Sequence, residues 1–140
     1  MVDDTEFDRW RAEANEAIET ARLAAGGGRF NWACFLAEQA AQLAVKGLLH
    51  GLGAGPWGHD LLELGNSLVT ALDRPLPDDL GDAMRRLSQH YIPSRYPDAQ
   101  PGGFPAERYT AGQADEALAD AGLVVAAVDD VWAQLRGAAG

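Results

Sequence analysis

The stretch Phe30–Leu49, FNWACFLAEQAAQLAVKGLL, decides the fold. Read at 3.6 residues per turn, it is apolar on most of its circumference, the pattern of a helix enclosed by others. Its polar exceptions Glu38, Gln42 and Lys46 recur every four residues and form one line down the helix. That line reads either as a solvated or mutually hydrogen-bonded stripe, or as a functional or dimer-facing one. The stretch therefore predicts a central helix over about residues 30–52, with the rest of the chain packed around it.

Working outward, residues 5–25 place Phe7, Trp10, Ala14, Ile18, Ala21 and Ala25 on one helical stripe, which stops at Gly26, Gly27 and Gly28. A Gly-Pro-Trp-Gly connector, residues 55–58, leads into a shorter helix marked by Leu61, Leu64, Leu68 and Leu72, with His59 and Asp60 placed to cap it. Pro75 and Pro77 precede a fourth helix opened by Asp78 and Asp79 and buried through Leu80, Met84, Leu87 and Tyr91, which Pro93 ends. Thr110 and Gln113 match a capping box, and Ala114, Leu118, Ala121, Val125, Val128, Trp132 and Leu135 mark the last helix. No strand-like alternation and no internal repeat occurs. The expectation is an all-α, antiparallel up-and-down bundle of about five helices, one domain over residues 1–140 with its core at about 5–137. One long loop, residues 92–109, precedes the last helix.

With 140 residues, 47% of them hydrophobic and 23% charged, the chain is large enough to bury its own core and too apolar for disorder. No apolar run reaches the roughly 18 to 20 residues of a membrane span, and the acidic start lacks the basic opening of a secretory signal. A cytoplasmic, membrane-free protein is expected. Cys34 is the only cysteine, so the chain offers neither an internal disulfide nor a cysteine-based zinc site, and no metal or cofactor is expected. The net charge of −10 disfavours nonspecific nucleic-acid binding. Between Arg85 and Arg108, however, four basic residues face two acidic ones, a local +2 that leaves −12 for the remainder. An anion would be received there.

That region contains the long connector HYIPSRYPDAQPGGFP, residues 90–105. Two Tyr, one Phe and an Arg-Tyr pair argue that it is packed, and loops of this length in compact domains are commonly functional. On a regular helix Arg86 and His90 are neighbours at i and i+4, whereas Arg85 and His90 stand about 140° apart. An Arg beside a His can stabilise developing phosphate charge while the imidazole moves a proton, the minimum for metal-independent RNA cleavage through the 2′-hydroxyl. Arg95 can fork onto a phosphate or pair with a carboxylate of the bundle.

Three segments together resemble the HEPN family of prokaryotic and eukaryotic nucleotide-binding helical domains: WACFLAEQAAQLAVKGLL at residues 32–49, GHDLLEL at 58–64, and YIPSRYPD at 91–98 followed by Arg108 and Tyr109. The resemblance implies a helical bundle that commonly dimerises and is often produced alongside a minimal nucleotidyltransferase. In many such pairs the HEPN member is an RNase toxin restrained through modification of a tyrosine. The motif of those RNases is an Arg, four to six residues, then His, often with Tyr close behind. Arg85 to His90 has that spacing and Tyr91 follows, while Arg86 and Ile92 stand where the family usually has a polar residue and Tyr.

The resulting expectation is a helical partner of a nucleotidyltransferase, in a toxin-antitoxin-like pair, that binds nucleotide or RNA phosphate. Tyr91, Arg95, Tyr96, Arg108 and Lys46 are the candidate binding residues, and Arg85, Arg86 and His90 the candidate catalytic ones. A homodimer would bring two such regions to one groove. The alternatives are a metal-independent RNase using the Arg-x4-His pair and a non-catalytic dimerising scaffold.

Overall fold

The computed structural model describes residues 2–56 and 58–139, the side chains of 138 and 139 excepted; Trp57 of the expected connector lies outside the described residues. Six helices follow in order: α1 Asp4–Gly26, α2 Phe30–Gly51, α3 Leu61–Leu72, α4 Asp78–Ser88, α5 Pro105–Arg108 and α6 Ala111–Ala139. The additional helix, α5, is one turn inside the long loop. Pro105 starts it, its fixed φ and missing N–H costing nothing at a first helical position.

The caps follow the local chemistry. Asp3 accepts from the Glu6 N–H at 3.1 Å, and Asp60 Oδ1 accepts from Leu62 N–H at 2.9 Å. Thr110 and Gln113 form the reciprocal box: Gln113 N–H donates to Thr110 Oγ1 at 3.2 Å and Thr110 N–H to Gln113 Oε1 at 2.9 Å. α4 stops at Ser88, three residues before Tyr91. The backbone then tightens into turns, with His90 N–H donating to Leu87 O at 3.0 Å. Pro93 has no N–H to offer a continuing helix and biases Ile92 away from helical backbone, so the helix yields before it.

α2 is the centre, and Ala33, Cys34, Ala37, Ala40, Ala41, Ala44, Val45, Leu48 and Leu49 are all buried. The three-residue link at Gly27–Arg29 folds α1 back along α2, and Asp3 N–H reaches Gly51 O at 2.7 Å. The connector 52–60 climbs back along α2 as far as Gln42, whose Nε2 donates to the His59 carbonyl at 2.8 Å. α3 therefore starts halfway along α2 and runs in the same direction. α4 returns antiparallel to α3, and α6 descends beside α2, where its Trp132 reaches the end of that helix. The long loop stays at the end where α2 begins, tied by Asn31 Nδ2 donating to Ser94 O at 3.0 Å.

Two glycines of α2 exist for close approach. A Cβ on Gly47 would stand 2.9 Å from Trp10 Cβ, and one on Gly51 would stand 2.6 Å from the Trp132 ring. Neither neighbour can yield freely, since the Trp132 ring also stacks on Phe7. Gly51→Ala is therefore expected to lower stability by about 1 to 3 kcal/mol, the usual cost of overpacking, in urea unfolding at neutral pH. A change below about 0.5 kcal/mol would mean that the Trp132 contact is loose.

Candidate functional site

The long loop returns over the first half of α2 and brings its aromatic residues onto that helix. Arg95 lies at the centre. Its guanidinium carbon stands 4.3 Å from the Phe35 ring centroid, 4.6 Å from Tyr91 and 4.9 Å from Tyr96. Nε and Nη2 donate to the Tyr91 carbonyl at 2.9 and 2.7 Å. A guanidinium has five N–H donors, so three remain for a ligand. Among the described residues no carboxylate lies within ion-pair distance of Arg95. Aromatic faces, together with a backbone carbonyl, take the place that an acidic partner would have held.

Beside this cluster lies a cleft of about 430 Å³ walled by Leu61, Leu62, Ile92, Pro93 and the Tyr91 ring, with His59, Asp60, Ser88 and Glu38 as its polar members. His59 stacks on Tyr91 at 5.7 Å and 13°. Its volume and mixed lining match those of small-ligand sites.

Beneath the cleft the α2 polar line turns inward. Glu38 is fully buried and Gln42 nearly so. Gln39 Nε2 donates to Glu38 Oε1 at 2.9 Å and Gln42 Nε2 to Oε2 at 2.6 Å. Burial pushes the Glu38 carboxyl up to about 7, with the Gln42 and Gln39 amides and the Arg95 and Lys46 charges acting in the opposite direction. The line is thus the hydrogen-bonded alternative in its upper part. Lys46 is half-buried one turn beyond Gln42, and burial lowers its pKa.

The sequence model of the HEPN domain family matches residues 7–131. The chain belongs to the HEPN domain family. Among the solved structures similar to it, three show the range. TT1696 from Thermus thermophilus is 39% identical with a TM-score of 0.80, over 89% of this chain and 96% of that one. ST0689, an archaeal HEPN homologue, is 35% identical with a TM-score of 0.75, over 89% and 95% of the two chains. An HEPN domain protein from Thermotoga maritima, TM0613, is 28% identical with a TM-score of 0.67, over 89% and 98%. Comparison with curated proteins finds no significant match.

In this HEPN domain the other candidate residues take separate positions. Arg86 makes a bidentate pair with Asp120 of α6, at 2.9 and 2.8 Å, and the hydrogen bonds to that buried carboxylate raise its pKa. Arg85 points the other way and pairs at 2.7 Å with Asp82 on the exposed side of α4. His90 Nδ1 lies 3.0 Å from Tyr109 Oη, which ties the two ends of the long loop together. Burial lowers the His90 pKa against the pull of Glu116 and Asp120, and burial pushes the Tyr109 phenol up to about 12. Arg108 is exposed and donates to Gly102 O at 3.0 Å.

Of the expected binding residues, Tyr91, Arg95 and Tyr96 lie together, since they share one segment. Phe35, Trp32 and His59 had no part in the expected site. The signal for Phe35 and Trp32 was an aromatic pair three residues apart on the helix the loop must cross. Among the described residues no group of three His, Cys, Asp or Glu side chains is placed to hold a metal, and no described helix is long and apolar enough to cross a membrane.

Proposed function

We propose that this HEPN domain binds a nucleotide or RNA phosphate at Arg95, as a homodimeric helical member of a toxin-antitoxin-like pair with a minimal nucleotidyltransferase. The observation that carries the phosphate reading is the state of the arginines. Arg85 and Arg86 are each paired with a carboxylate, so their charge is spent within the bundle. Arg95 has no carboxylate at ion-pair distance among the described residues, and it has three N–H donors left over and a fixed orientation beside a cleft with an apolar wall and an aromatic face. A planar guanidinium held in this way suits bidentate phosphate recognition, and the neighbouring cleft has room for a base. What supports the pairing with a nucleotidyltransferase and the dimer is family membership.

The test is equilibrium binding of a fluorescent adenine nucleotide to the wild type, Arg95→Ala and Arg95→Lys at low salt. Charge-assisted hydrogen bonds contribute roughly 1.5 to 3 kcal/mol, so Arg95→Ala is expected to weaken binding about 10- to 100-fold, with Arg95→Lys between. Undiminished binding by an Arg95→Ala variant that melts like the wild type would overturn the reading.

A further inference from the structure

The phosphate reading leaves Glu38 unused. This side chain is fully buried, yet it forms part of the cleft wall. Its two oxygens are held by the neutral amides of Gln39 and Gln42, and among the described residues no cation reaches it at ion-pair distance. A carboxylate held in this way is fixed in place but costly to ionise, so taking up a proton is its response to further negative charge. Two cations act on it from farther off, Arg95 of the long loop and Lys46 of its own helix. Arg95 rests on Phe35, one turn before Glu38 on α2, and Tyr91 belongs both to the Arg95 cluster and to the cleft wall. The Phe35 ring is itself held, edge-on to Trp32 at 6.2 Å and tilted against Tyr91 at 6.4 Å. With two hydrogen bonds to the Tyr91 carbonyl, Arg95 thus stays within reach of the Glu38 charge without collapsing onto it. The other charged or titratable side chains at the cleft are His59 and Asp60 of the connector and the Tyr91 phenol. α3 and α4 contribute Leu61, Leu62 and Ser88, which carry no charge.

We propose that an anion bound at Arg95 makes Glu38 take up a proton from solvent, so that the site holds its anion in mildly acidic solution and loosens as pH rises. This rests on the phosphate reading given above and adds its regulation. The anion neutralises the Arg95 charge that favours ionised Glu38, and it brings a negative charge of its own. Both effects favour the protonated carboxyl. Burial has already pushed this carboxyl up to about 7 in the empty site, so both of its forms are populated near neutral pH. The bound anion raises it further. At low pH Glu38 is protonated with or without the anion, and affinity has its full value. As pH rises through about 7 the empty site loses the proton first, so binding has to restore it and affinity falls until both states are ionised. Two unit charges acting across several ångströms near a protein surface change such an equilibrium about tenfold.

The probe is the methyl ester of adenosine monophosphate, whose phosphodiester keeps one charge across this range, so that its own titration cannot imitate the effect. It is titrated calorimetrically into the wild type and Glu38→Gln at about pH 5.5, 7 and 8.5, and at pH 7 in buffers of different ionisation heat, which counts the protons taken up. Wild-type affinity is expected to fall about tenfold from the lowest to the highest pH, with net proton uptake at pH 7, while Glu38→Gln shows neither. The Glu38 carboxyl carbon, followed by NMR in the wild type, gives the same answer without a variant: its titration midpoint should stand about one pH unit higher with the ester bound. An unmoved midpoint, or an equal fall in affinity in Glu38→Gln that places the titration on His59 or another group, would overturn this inference and leave the phosphate reading standing. Absence of binding to the wild type at all three pH values would overturn both.

Discussion

Glu38→Gln is expected to make the protein more stable than the wild type above pH 7, by about 2 to 3 kcal/mol, and to change it little below pH 5. The carboxyl is buried with amide partners and, among the described residues, without a cation at ion-pair distance, and burial pushes it up to about 7 from its ordinary 4.5. The folded chain therefore holds this proton more tightly than the unfolded chain does. Below about pH 4.5 both states are protonated and no cost arises. As pH rises from about 4.5 to about 7 the unfolded chain releases the proton first, so stability falls through that window and is level above it. Each pKa unit corresponds to about 1.4 kcal/mol, so a rise from 4.5 to about 7 sets the upper limit at roughly 3 to 4 kcal/mol. Glutamine has the same shape and stays neutral, but gives up one acceptor to Gln39 or Gln42, which reduces the gain somewhat. Urea unfolding of both proteins at pH 5, 6, 7 and 8 checks this. Parallel curves would show that Glu38 does not carry the buried charge assigned to it.

Trp132→Ala is expected to cost about 3 to 5 kcal/mol at every pH. Trp132 is 9% exposed and stacks on Phe7 at 4.2 Å and 16°, against the glycine surface at Gly51. It is the large side chain through which α1, α2 and α6 meet at one end of the bundle. Its removal leaves Phe7 without its stacking partner and opens a cavity that no nearby side chain can fill, because the facing residue of α2 is glycine. The urea midpoint should fall without a change in slope, and differential melting should show one transition. A loss under 1 kcal/mol would mean that this end of the bundle is held by the backbone links rather than by the ring.

The two predictions differ in how far the sequence alone could have reached them. The burial of Trp132 follows from the stripe that also contains Ala121, Val125 and Val128, because a helix of period 3.6 with one apolar side has one way to face the core. The state of Glu38 does not follow in that way. A Glu four residues before a Gln reads equally as a solvated pair, and only the folded chain brings the His59 carbonyl onto Gln42 and buries Glu38. The position of the Arg-x4-His spacing is a further case. Helical geometry placed Arg86 beside His90, yet Asp120, thirty-four residues away, takes Arg86, and Tyr109 takes His90.

What the sequence by itself determined was the set of local choices: the helix stripes, the caps at Asp60 and Thr110, the breaks at the glycines and prolines, and the aromatic character of the long loop. These depend on period and on neighbours within four residues, so they are complete before the chain folds. The tertiary structure alone decided which charges are used up and which stay free. Arg86 is paired and Arg95 is not, because ion pairs and stacked rings join residues that only packing brings within a few ångströms.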